Sequence, residues 1–413
     1  MDKILLKRAA FQSVALMLAV IALSFTFQQY QAVKISASNT IASEALSASS
    51  QKTSGNSEAS GGFQKVSNQI PQDDVPAIMK LMDGIDPDML KQMGDRYLVI
   101  KKPEGPAISY QLEDLYISKS LKITLDGLSG DEMNSGLVGR MYAGEGFVGD
   151  PKYTEYILPA QEPEIIKDYG NDIVRNITVN DYYNEAEKCR TTQLLIELNS
   201  VYVPEVCEDA AYYYINLKNP KDVYDKILVI DAGHGGKDGG ALSEGDICEK
   251  NMNLAILLEL KKLLDKDNIK VYYTRTGDDK VFLKPREELA NAVDCDFFIS
   301  IHCNASDAAW PKGSEILYYD REFKGIRNKD LANLFLKELG ETTSLDTRYI
   351  LEKRKDEIYI LKKATVPAIL IEVGYMTNYS DVKYLSQEEN RRAVAQGIYN
   401  GIMKAYELYP PVR

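Results

Sequence analysis

The chain has two histidines among its 413 residues, and each follows an apolar run. His234 comes after KILVI in KILVIDAGHGG, and His302 after FFIS in FFISIHCNA. Imidazole is the commonest protein ligand for transition metals. Two histidines in matching settings therefore point to one shared metal site in a metal-dependent enzyme. A third apolar run, PAILI, leads directly into Glu372. A carboxylate in that place is costly to bury without a partner. A nearby metal, or a proton held at raised pKa, resolves the cost. A catalytic zinc site normally takes three protein ligands and keeps one position open. Glu249, in CEKNMNL, is the natural third ligand, with Asp238, Glu244 and Asp246 as competitors in the same loop. A glutamate in a first helical turn is also what the helix dipole favours without any metal. The glycine-rich GHGGKDGG lacks both the P-loop and the dinucleotide-binding spacing. Its glycines instead let the backbone turn sharply beside a metal and leave room for a bulky substrate.

These groups need a scaffold that brings strand ends together. From Lys226 onward strand and helix patterns alternate: KILVI, KVYYT, DFFISI, EILYY and PAILI read as strands. NMNLAILLELKKLLDK, KPREELANAVD, DLANLFLKELG and ENRRAVAQGIYNGIMKAYE read as helices. The expectation is an α/β catalytic domain over 226–409, with a mixed, largely parallel sheet flanked by helices. In such sheets functional groups collect at the carboxyl ends of the strands.

Upstream the character differs. Residues 1–8 are a basic segment, and 9–27 are apolar enough to serve as a signal anchor or signal peptide, with the rest of the chain outside the cytoplasm. Residues 28–70 read as a flexible, disordered Ser-rich linker and 71–94 as a short helical element. Residues 95–225 read as a β-rich module of sandwich type, built from runs such as RYLVI, LKITL, TTQLLIEL and YYYINL. Its tyrosines, among them Tyr212, Tyr213 and Tyr214, admit two readings: a sugar-stacking surface, or core and sheet-face packing. The net charge of −12, with no basic stretch to offset it, argues against nucleic acid as a partner. The five cysteines show no CxxC, so a thiolate zinc cluster is not expected; Cys189 and Cys207 share the β module and are candidates to pair if oxidised.

The motifs VIDAGHGGKDGGA, EKNMNL, TRTGD, SIHCNAS and PAILIEVGYMTN, in this order, resemble the zinc-dependent N-acetylmuramoyl-L-alanine amidases of type 3. The resemblance covers about 226–407. It implies one Zn²⁺ held by His234, Glu249 and His302, with Glu372 as the catalytic carboxylate. It implies peptidoglycan as substrate and the muramoyl–L-alanine amide as the bond cut. Cys303 stands where the family usually has another small residue, and is not a nucleophile on that account. The interval Asn304–Ile371 is filled by ordinary strand and helix patterns, so the inserted autoinhibitory helix of some relatives is not expected. The β module resembles AMIN-type wall-targeting domains by position and β content. Asp231 and Asn304 are candidates to orient ligands. Arg275 or Arg286 is a candidate to pair with acidic groups of the stem peptide. The alternatives are a zinc peptidase of the stem peptide and a non-catalytic wall-binding or regulatory protein.

Overall fold

The computed structural model describes residue 89 and residues 93–413, except 103–108, 129–139, 146–151, 159–163, 169–172, 186–188, 354–356 and 412. The expected N-terminal segment (1–27), the linker and nearly all of the element at 71–94 lie outside the described residues. Among the described residues no helix is long and apolar enough to cross a membrane.

Short runs rich in aromatic and β-branched residues pair first. They form β1 (Arg96–Lys101), β2 (Ser109–Leu115), β3 (Ser120–Leu128), β4 (Arg140–Glu145) and β5 (Lys152–Ile157). These are followed by β6 (Glu164–Asp168), β7 (Val174–Asn184), β8 (Cys189–Leu198), β9 (Val203–Glu208) and β10 (Tyr212–Lys218). One sheet has the order β6-β5-β4-β1-β10-β9 and the other β2-β3-β8-β7. Leu98, Ile100 and Ile215 of the first share a core with Ile123, Leu194 and Ile196 of the second. The module is thus a β-sandwich. Tyr212, Tyr213 and Tyr214 are buried in it, which removes them as a sugar-stacking surface. Cys189 and Cys207 are free thiols on strands of different sheets, not a pair.

The short α1 (Pro220–Val223) leads into β11 (Ile227–Ala232), then α2 (Glu249–Leu264), β12 (Lys270–Tyr273), α3 (Leu283–Ala292), β13 (Phe297–Asn304) and β14 (Ser314–Tyr318). A small hairpin of β15 (Glu322–Phe323) and β16 (Ile326–Arg327) precedes α4 (Asn328–Thr342) and β17 (Thr347–Glu352). The chain continues through α5 (Tyr359–Lys363), β18 (Ala368–Tyr375), α6 (Tyr379–Leu385) and α7 (Glu388–Leu408). The sheet order is β12-β11-β13-β18-β14-β17. The first four strands are mutually parallel, β14 is antiparallel to β18, and β17 is parallel to β14. Both faces are covered, which is why the central strands read as near-continuous apolar runs. Leu228 and Ile230 face α2, α4 and α7; Ile227 and Val229 face α3 and α5. The long helix of the 304–371 interval, α4, is part of the first of these layers: Phe335 and Leu339 pack with Ile398 and Ile402 of α7.

The sandwich joins the α/β layer through the turn at Tyr116–Ser118. The Tyr116 hydroxyl donates to the Tyr273 carbonyl at 2.9 Å, and its ring meets Tyr272 edge-on at 5.0 Å. Lys119 pairs with Glu288 at 3.1 Å.

Candidate metal centre

The parallel strands β11 and β13 end side by side, and each delivers a histidine to the same edge. His234 lies in the loop after β11 with φ +61, a left-handed conformation uncommon for a residue with a side chain. Its main chain is held there because the Arg286 guanidinium donates to the His234 carbonyl at 2.7 Å. His302 lies near the end of β13, opposite Glu372 of β18. Glu249 opens α2 at the far end of the glycine loop and is buried. Its Oε2 is 3.2 Å from His234 Nε2 and its Oε1 is 2.9 Å from His302 Nδ1. One ligand atom from each of these three residues falls within 4.8 Å of the others. The imidazole rings stand edge to face, 4.9 Å apart.

Two glycines make the closeness possible. A Cβ at Gly233 would collide with the His302 ring, and one at Gly240 would come within 2.5 Å of Glu249 Oε2. The mixed N/N/O donor set, drawn together inside this glycine cradle, is that of a catalytic zinc site. Burial pushes the Glu249 carboxyl up, but hydrogen bonds to His234 and His302 outweigh it and hold it well below the usual carboxylate range. Glu249 is therefore ionised, as a ligand must be.

Asp238 has a different place from the one its position in the loop suggested. Its Oδ1 is 3.0 Å from His234 Nδ1, which leaves Nε2 for the centre. That is the arrangement by which a carboxylate fixes the tautomer and orientation of a ligating histidine. Glu244 and Asp246 have no place in the cluster. Asn253, one turn along α2, donates to Glu249 Oε1 at 3.2 Å.

Glu372 is half-buried, and its Oε2 is fully buried with no hydrogen-bond partner. Burial pushes its carboxyl up to about 7, with His302 opposing and Glu249 and Glu315 adding. An orphaned buried carboxylate oxygen calls for an explanation, and a carboxyl that exchanges a proton near neutrality supplies one. Cys303 is buried, and that burial, with Glu249 and Glu372 nearby, drives its thiol far above the ordinary value. It is an inert neighbour.

Three expectations are corrected. Arg275 and Arg286 do not face substrate, being 3% and 2% exposed. Arg275 donates to the carbonyls of Ala232, Gly233, Lys250 and Gly277. Arg286 pairs with Asp231 at 2.5 Å and donates to the carbonyls of Ala232, His234 and Val281. Both guanidiniums are consumed in shaping the loop. Asp231 holds Arg286, Thr274 and Ser300, so it acts on His234 only at one remove. Asn304 donates to Glu315 at 3.3 Å and touches no histidine.

The network of Glu315, Arg348 and Tyr375 beside Glu372 was not foreseen. A signal existed: EILYY opens with a carboxylate as abruptly as PAILI ends in one. The mouth of the site is bounded by Lys280 and Phe282 from the loop before α3, by Leu283 at its start and by Ile360 of α5.

Residues 228–404 match the family model described as N-acetylmuramoyl-L-alanine amidase. The chain is 32% identical over 190 residues to N-acetylmuramoyl-L-alanine amidase LytC of Bacillus subtilis, a match covering 46% of this chain and 37% of LytC. It is 31% identical over 195 residues to the germination-specific N-acetylmuramoyl-L-alanine amidase of Bacillus subtilis, covering 44% of this chain and 80% of that enzyme. Among solved structures, the N-acetylmuramoyl-L-alanine amidase from Clostridium difficile 630 aligns at 32% identity and a TM-score of 0.42, over 44% of this chain and 97% of that one. The family match at 228–404 includes His234, Glu249, His302 and Glu372, and with 31% identity across 80% of the germination-specific amidase the chain belongs to the N-acetylmuramoyl-L-alanine amidase family.

Proposed function

We propose that this protein is a zinc-dependent cell-wall hydrolase that cleaves the amide between N-acetylmuramic acid and L-alanine in peptidoglycan. The observation that carries the reading is the meeting of His234, Glu249 and His302 beside a buried, unpartnered Glu372 oxygen. In this reading the three residues hold one Zn²⁺. When bound, zinc supplies Lewis acidity that activates water near neutral pH and offsets charge developing on the carbonyl oxygen.

The chain's own groups do the rest. Asp238 keeps the proton of His234 on Nδ1, so that Nε2 is presented as a neutral donor. Glu372 takes a proton from the attacking water at its uncommitted oxygen and delivers it to the departing alanine nitrogen. A carboxyl poised near neutrality suits both halves of that transfer. Arg286 and Arg275 hold the loop rigid, so the donors need little rearrangement. The β-sandwich upstream serves to keep the enzyme on the wall, and the apolar segment at 9–27 directs the chain out of the cytoplasm as anchor or signal.

Digestion of purified peptidoglycan, read by mass spectrometry, tests this. Release of intact stem peptides with the lactyl group left on the glycan is the expected result. A cut between two amino acids would make the protein a stem peptidase, and no cut by the zinc-loaded protein would make it a non-catalytic wall-binding protein.

A further inference from the structure

The site has two flanks, and only one of them offers an arginine. Over β11 the guanidiniums of Arg275 and Arg286 are sealed inside the loop. On the other side, β14 runs antiparallel to β18, so its first residues lie at the edge where β13 and β18 end. Glu315 stands directly opposite Glu372 in that ladder. The row across the sheet is thus His302, Glu372, Glu315. On β17 the register slips: Ser314 pairs with Thr347 but Glu315 pairs with Tyr349, so Arg348 bulges out of the ladder.

The bulge turns Arg348 onto the end of the row. Its Nη1 is 2.9 Å from Glu315 Oε1 and donates to the Tyr375 hydroxyl at 3.0 Å. The Tyr375 hydroxyl in turn donates to Glu315 Oε1 at 2.7 Å, and Asn304 donates to Glu315 Oε2 at 3.3 Å. The guanidinium also lies 5.2 Å from the Tyr349 ring centre and 5.5 Å from that of Tyr375. Glu315 is buried, whereas 23% of the Arg348 side chain is open. Both protein contacts use Nη1. Among the described residues Nε and Nη2 have no hydrogen-bond partner. This is a fork gripped by one tine, with its other edge free.

We propose that Arg348 is a specificity-determining residue of the site, binding a carboxylate on the residue that follows the alanine of the substrate's peptide. The inference rests on the amidase reading and extends it to the peptide side of the cut. Arg348 lies two strands beyond Glu372 in the order β18-β14-β17, but its guanidinium reaches back to Glu315, whose side chain lies directly opposite that of Glu372 and starts about 5 Å from it. An extended peptide advances about 3.3–3.6 Å per residue, which carries the next residue's carboxylate from the Glu372 side of the cut toward that position. A guanidinium held by Glu315 and two rings is already ordered, and its free Nε–Nη2 edge matches a carboxylate in bidentate fashion.

The test uses the full-length zinc-loaded protein and two synthetic muropeptides. They differ only in whether the residue after alanine bears a free carboxylate or a carboxamide. The wild-type protein is expected to favour the carboxylate by about 10- to 100-fold in kcat/KM, the size of a lost charge-assisted contact. Arg348→Gln should abolish that preference, mainly through KM, and leave the carboxamide substrate nearly unaffected. Arg348→Lys, which keeps the charge but not the fork, should fall between. Equal loss on both substrates in Arg348→Gln would mean a structural ion pair and overturn the proposal. The wild-type preference stands as a measurement even if the variant does not fold: cleavage without discrimination overturns this inference alone. Failure of the wild type to cleave either substrate overturns the amidase reading itself.

Discussion

The two flanks of the metal centre treat buried charge in opposite ways. Over β11, Asp231, Arg275 and Arg286 form a closed network in which the carboxylate has three side-chain partners and the guanidiniums are spread over loop carbonyls. Burial alone would push the Asp231 carboxyl up, yet Arg286, Ser300 and Thr274 hold it below its ordinary value. Over β18 the network is open. Glu372 Oε2 has no partner, its carboxyl sits at about 7, and half of the Arg348 fork is unused. Closed networks fix geometry, and open ones are left for what is not part of the protein. Fully satisfied polar groups specify a conformation, whereas perturbed, partnerless ones mark a place where protons or ligands exchange.

Substitutions on the two flanks should therefore fail differently. The largest loss belongs to the open side. Glu372→Gln is expected to lower kcat by at least about 10²–10⁴-fold, with zinc content unchanged and no loss of stability. Wild-type turnover in that variant would remove Glu372 from the reaction. Next comes the closed side. Arg286→Met leaves Asp231 as an uncompensated buried charge, a loss of about 3–5 kcal/mol of stability. Chemical denaturation should show it, with metal binding weakened through the released His234 loop. If Arg286→Met unfolded like the wild type but lost activity, the distinction between the flanks would collapse. Asp238→Ala is smaller again. It frees the His234 ring without breaking the cluster, and should weaken zinc binding about 10- to 100-fold in a chelator competition.

The difference between the flanks also explains what was legible in the sequence. His234, His302 and Glu372 stood out because each follows the apolar run of a strand buried on both faces, and a polar group after such a run is conspicuous. The fate of a charge was not legible. Arg275 and Arg286 look like surface arginines until the loop folds over them, because burial is a property of the whole network. Glu315 and Arg348 escaped for a topological reason. Functional groups were sought at the carboxyl ends of strands, but β14 and β17 run the other way, so their amino ends reach the site. Beyond the two-residue β15 and β16, the strands that were overlooked, β5, β6 and β17, are interrupted by charged residues (KYTEYI, EIIKD, TRYILE). Two of them, β6 and β17, are edge strands, and β17 has no buried residue, so it needs no continuous apolar run.

A half-buried, poorly compensated carboxylate outside the site tests whether a raised pKa by itself marks function. Asp114 of β2 lies near the junction of the sandwich with the α/β layer. Burial pushes its carboxyl up to about 6, with Lys270 only partly offsetting. An acid whose pKa is higher folded than unfolded penalises the native state when ionised. Its destabilising effect is therefore full above about pH 6 and disappears as pH falls toward the ordinary value of 3.8. Asp114→Asn should raise stability at pH 7–8 by about 1 kcal/mol, allowing for the partial exposure of the group. It should also remove that part of the gain the wild type shows between pH 7 and pH 4, and leave amide cleavage unchanged. Asp114 belongs neither to the metal cluster nor to the lining of the site, so its removal should cost catalysis nothing. Should Asp114→Asn instead slow cleavage while stabilising the fold, the junction would be coupled to the site, and strain in the sandwich would have to be counted among the catalytic devices.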